Sequence, residues 1–144
     1  MAFECFIPQV LNLTSDDEII EGASYRREVT LQKLVNNVLT PVNMTEYDAL
    51  APVLIVKDKD TEGGGATTSC PQGTCTWTDA AGGKFQIDIP ASQTNLGTGA
   101  ASGQKISGIV EVWVKHDSEV ESGSPKEAMV CAGTWSLRKT GRAA

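Results

Sequence analysis

Two long alternating runs dominate the hydrophobic pattern of this chain. In the first, Ile106, Gly108, Val110, Val112 and Val114 alternate with Ser107, Ile109, Glu111, Trp113 and Lys115. In the second, Met129, Cys131, Gly133, Trp135 and Leu137 alternate with Ala128, Val130, Ala132, Thr134 and Ser136. Successive side chains of a strand point to opposite faces, so each run predicts a sheet strand with one apolar face. The break between them, 117–126, holds Asp, Ser, Glu, Gly and Pro, and the whole reads as one antiparallel hairpin.

Shorter runs extend the pattern. Tyr25, Val29 and Leu31 share one face of an early strand, with Arg27 the polar exception on that face. Asn36-Asn37 lies between Lys33-Leu34-Val35 and Val38-Leu39-Thr40; Asn tolerates positive φ, so the pair reads as a tight hairpin turn. Val53-Leu54-Ile55-Val56-Lys57 predicts a buried strand, with Val53 and Ile55 assigned to the core. A strand at 74–79 carries Trp77, and Phe85, Ile87 and Ile89 point one way from another that Pro90 closes. The one helix candidate is 45–50, with Thr45 as cap and Asp48 returning a bond. Two stretches, 58–73 around Gly63-Gly64-Gly65 and 91–103, read as long loops, the first mobile or ordered by a partner.

These elements predict an all-β fold: a single antiparallel β-sandwich, Ig-like or jelly-roll-like, of about seven strands with one short helical turn. Residues 23–140 form the sandwich and 141–144 a tail. Residues 1–22 form an N-terminal strand or arm. Its apolar residues Phe3, Phe6, Ile7, Val10 and Leu11 suit either an edge strand of the same sandwich or an arm that grips a partner.

Composition narrows the functions. The 144 residues suit one domain, and the 40% hydrophobic content suits a folded one. A net charge of −6 disfavours nucleic acid and anionic lipid, whose binding depends on Lys and Arg. The basic cluster Arg138, Lys139 and Arg142 reads as a solvated tail. No run approaches the ~20 apolar residues of a membrane helix, and the first residues lack the positive region of a signal peptide. Synthesis in a cytoplasm is the expectation, which leaves room for a later life in a virion.

No residue set announces a reaction, and the chain is expected not to be an enzyme. His116, the single histidine, stands at a strand end beside Asp117 with no nucleophile placed near it, and reads as solvated. The four cysteines, Cys5, Cys70, Cys75 and Cys131, read first as buried thiols. Cys70 and Cys75 enclose a turn-forming Pro-Gln-Gly-Thr and are close enough for a disulfide or, less readily, for zinc with His116. Asp58, Asp60 and Glu62 alternate like oxygen ligands of a calcium loop but lack the closing acid. The three tryptophans read as packing residues ahead of sugar platforms. No cofactor is expected.

The order of features carries a resemblance. Tyr25-Arg26-Arg27-Glu28-Val29-Thr30-Leu31 leads to Pro41-Val42-Asn43-Met44-Thr45, then to Val53-Leu54-Ile55-Val56-Lys57-Asp58. Phe85-Gln86-Ile87-Asp88-Ile89-Pro90 follows, then a small-residue step to Leu96 and a closing Ala132-Gly133-Thr134-Trp135-Ser136-Leu137. Over residues ~20–140 this resembles small β-sandwich structural proteins of tailed bacteriophages, like the N-terminal domain of upper baseplate proteins. The family's D-L-T-G step reads Asn43-Met44-Thr45-Glu46-Tyr47 here. The resemblance implies a non-enzymatic virion protein of a tail, baseplate or fibre attachment. Its partners would be other virion proteins and copies of itself, without nucleic acid or membrane. A capsid decoration (cement) protein and a lectin-like ligand-binding module are the alternatives.

Overall fold

The computed structural model describes residues 9–13, 18–58, 70–95 and 105–140, with backbone alone for 9–13, 58 and 105. It is an all-β fold. The strands are β1 (Gln9–Leu13), β2 (Ile19–Ile20), β3 (Tyr25–Thr30), β4 (Gln32–Val35), β5 (Val38–Pro41), β6 (Val53–Asp58), β7 (Thr74–Asp79), β8 (Lys84–Ile89), β9 (Lys105–Glu121) and β10 (Ser124–Arg138). One sheet runs β1-β10-β9-β6, with β2 also on β10; a second runs β3-β8-β7; β4 and β5 pair only with each other.

The two larger sheets close over one core. Phe85, Ile87 and Ile89 of β8 meet Val110, Val112 and Val114 of β9, and all six are fully buried. The alternation that predicted these strands therefore also predicted their inner faces. β6 differs. Leu54 pairs with Val112 and Val56 with Val110, so its even residues turn inward, and Val53 and Ile55 are only half-buried. Every residue from Val53 to Val56 is apolar, so the strand's own pattern cannot say which face is the core; its register against β9 decides.

β10 changes face midway. Its register slips between Met129 and Cys131, a bulge that buries both Val130 and Cys131. Before the slip Ala128 packs on the core, and after it Cys131, Trp135 and Leu137 do. The Trp135 indole donates to the Lys57 carbonyl at 3.1 Å, tying β10 to the end of β6.

The expectation of a purely antiparallel sandwich needs one revision: β1 and β2 run parallel to β10. Val10 and Leu11 pair with Ala132 and Gly133 of the same chain. Phe3, Phe6 and Ile7 lie outside the described residues, as do Cys5, residues 59–69, 96–104 and the tail 141–144.

The basic cluster is not a solvated tail where it is described. Lys139 is buried and ion-paired with buried Glu21. The Glu21 carboxylate also accepts from Thr140 N at 3.1 Å, and Arg138 pairs with Glu18 at 2.7 Å. These cations clamp the 18–21 segment to the end of β10. The sequence hid this because the partners lie about 120 positions apart.

The Cys70–Cys75 bridge is not formed. Cys70, Cys75 and Cys131 are buried thiols outside any disulfide. Cys75 projects from β7 into the core, on the face of its neighbour Ile87. Burial pushes the Cys75 and Cys131 thiols up to about 12. Proximity of Cys131 and Asp88 adds to the rise at Cys75, and Arg27 offsets part of it at Cys131.

Candidate interaction surface

One end of the sandwich carries two projecting ribbons. At this end β3 finishes, β8 begins and β7 finishes, because Thr30, Lys84 and Asp79 share one level of the sheet. The β4–β5 ribbon leaves from here. Its turn is Asn36-Asn37, with φ of 52° and 64°, the paired positive values of a type I′ turn. The sequence expectation of a tight turn at these asparagines holds.

The root of this ribbon is pinned. Leu31 and Val42 are buried on either side of it. Leu31 N donates to the Gly83 carbonyl at 2.8 Å, and Val42 N to the Leu31 carbonyl at 2.9 Å. Gly83 has φ +70°, and a Cβ there would sit 2.6 Å from the Val42 carbonyl oxygen and 2.9 Å from that of Leu31. Only glycine fits both the left-handed backbone and this close approach.

The limb beyond the root is apolar and open to water. Leu34 is 69% exposed, Leu39 62%, Val38 63% and Val35 41%. Leu34 lies directly opposite Leu39, and Val35 opposite Val38, so the leucines share one face and the valines the other. Neither face touches the core.

The second ribbon is the outer part of β9–β10. Its turn at Ser122-Gly123 also has positive φ, 49° and 82°. The polar stretch read as a break is mostly strand: β9 continues to Glu121 and β10 starts at Ser124. Polar side chains suit a two-stranded ribbon that stands clear of any core. Lys115 faces Glu127, and Lys126 reaches Glu119 at 3.8 Å.

His116 sits at the base of this ribbon and is buried, not solvated. Between two paired positions, four residues of β9 (116–119) face Lys126 alone on β10. The bulge strands backbone donors, and the imidazole takes two of them. Its Nδ1 accepts from Ser118 N at 3.1 Å and Glu119 N at 2.9 Å. Nδ1 is thus an acceptor and the ring proton sits on Nε2, which faces Glu46 at 3.7 Å. The nitrogen a general base would use is occupied by backbone.

A clamp joins the two ribbons. The expected short helix is only a 3-10 turn, Thr45–Tyr47, with Met44 at its N-cap and no side-chain cap, so Thr45 does not cap it. Just before it the Asn43 Oδ1 accepts from Thr45 N at 3.0 Å. Tyr47 meets His116 edge to face, centroids 5.0 Å apart. The Trp77 indole donates to the carbonyls of Tyr47 and Leu50 at 3.0 and 3.1 Å, and Asp117 accepts from Ala49 N at 2.9 Å. Trp77 therefore fastens this turn, while Trp135 is core and Trp113 lies half-buried on the other face of its strand.

Among the described residues, the exposed large hydrophobics are Leu34, Val35, Val38, Leu39, Leu50 and Val120. All six belong to the two ribbons or to the turn clamped between them. Cys70 and Cys75 lie far along the chain from His116 and pack elsewhere in the core; among the described residues no three His, Cys, Asp or Glu side chains converge as a metal site. The calcium-like stretch 59–63 is outside those residues. The sequence reading missed the β4–β5 ribbon as a surface. The signal was present, since Leu34, Val35, Val38 and Leu39 stand within six residues around a two-residue turn. No protein-family model and no curated protein matches this chain.

Proposed function

We propose that this chain is a non-enzymatic structural protein of a tailed-bacteriophage virion, a tail or baseplate component that works through protein–protein contacts. The observation that carries the reading is the concentration of exposed apolar side chains at one end of a rigid sandwich. Contiguous apolar surface rimmed by polar residues marks an interaction site. The strand-and-turn order that resembles baseplate β-sandwiches supplies the setting. The chemistry of the buried groups supports it: His116 serves a backbone bulge, and Cys75 and Cys131 are held as protonated thiols.

Mass spectrometry of purified particles, with immunogold labelling in the electron microscope, tests the reading. The chain is expected in stoichiometric amount, with label on the tail. Label on the capsid would favour a decoration protein, and absence from particles would overturn the proposal.

A further inference from the structure

We propose that the 32–41 ribbon inserts edge-on into an apolar slot of a different protein, one whose rim carries Lys and Arg. The inference rests on the assembly reading above and names the partner's chemistry.

The shape comes from the register. Leu34 and Leu39 face one side and Val35 and Val38 the other, all exposed. A flat partner surface would cover one pair and leave the second in water. Only walls on both sides desolvate all four. The ribbon is also built to be presented. Buried Leu31 and Val42, with Gly83 against both carbonyls, fix its root, so it does not fold back on the sandwich. At about 3.3 Å per residue its four-residue strands reach roughly 13 Å, deep enough for a slot.

Charge selects the occupant. The turn and the ribbon beside it carry Glu46, Asp48, Asp117, Glu119, Glu121 and Glu127 against the cations Lys115 and Lys126, an acidic excess. The ribbon itself adds only Lys33. An apolar limb in an acidic frame suits an apolar slot in a basic frame. A second copy would bring the same carboxylates together. Two ribbons packed face to face would also leave the outward pair of each in water. An anionic bilayer is repelled in the same way.

Photo-crosslinking in the host that makes the full chain tests this. Benzoylphenylalanine replaces Leu34 on one face, Val38 on the other, or Thr76 on β7 as a control, and thermal melts confirm that each variant folds. The expected result is that Leu34 and Val38 variants label one and the same other protein, at peptides containing Lys or Arg, and that Thr76 does not. Asp48→Lys with Glu121→Lys should lower that yield at least tenfold. Adducts between two copies of this chain, adducts to lipid, labelling from one face only, no adduct, or a yield indifferent to the charge reversal would each overturn the proposal. A labelled partner that is not a virion protein would leave the slot standing and sink the phage reading. Particles that contain the chain without any ribbon adduct would do the reverse.

Discussion

The two ribbons leave the same end of the sandwich and close on turns of the same positive-φ kind, yet they are built from opposite materials. The β9–β10 ribbon continues two core strands outward and carries cross-strand pairs of Lys115 with Glu127 and Lys126 with Glu119. Its side chains are what a hairpin needs to stand in water. The β4–β5 ribbon joins neither larger sheet, has no charged pair across it, and exposes two leucines and two valines. Water-facing leucine contributes little to folding, because the gain comes from removing apolar area from water. The contrast teaches that the first ribbon's composition answers to the fold, while the second's answers to something outside it.

The largest effect should strike the core beneath both ribbons. Cys75 and Cys131 ionise near 9.0 when free and only near 12 when folded, because burial disfavours the thiolate. Unfolded chain therefore loses these protons first. The stability from keeping them neutral is full below about pH 9 and drains away as pH rises towards 12. Melting temperature should fall steeply across that window and less steeply in the Cys75→Ala/Cys131→Ala variant; equal slopes would contradict the assignment.

Next comes the root of the apolar ribbon. Gly83→Ala forces a Cβ into the left-handed region and against two carbonyls. The expected cost is about 2–3 kcal/mol in urea unfolding, with faster amide exchange at Leu31 and Val42. A neutral substitution would mean the root is not pinned there.

The base of the polar ribbon should yield less. His116→Leu keeps the volume but abandons Ser118 N and Glu119 N, for about 1–3 kcal/mol. Amide exchange should rise at 117–119 and stay unchanged at 32–41. Loosening of both ribbons together would show that the clamp makes them one unit.

The smallest effect sharpens the comparison most. Leu34→Lys with Leu39→Lys should alter stability by no more than about 0.5 kcal/mol, as expected of surface positions. A loss of several kcal/mol in a thermal melt would mean that the limb is part of the fold after all.

Local pattern alone determined strands over 25–31, 74–79, 85–89, 106–115 and 128–137, each matching an observed strand to within its ends or its core part, together with the inner faces of β8 and β9 and the asparagine turn. Alternation and turn chemistry are properties of neighbours in the chain, so they can be read there. Long-range placement decided the rest. The inward face of β6 depends on its register with β9, because all of Val53–Val56 is apolar. His116 became a structural acceptor because β9 gains a bulge against β10. Arg138 and Lys139 became buried clamps because Glu18 and Glu21 return from the other end of the chain. Leu34, Val35, Val38 and Leu39 read as strand residues in sequence, and only the closed core, complete without them, left both faces of their ribbon in water.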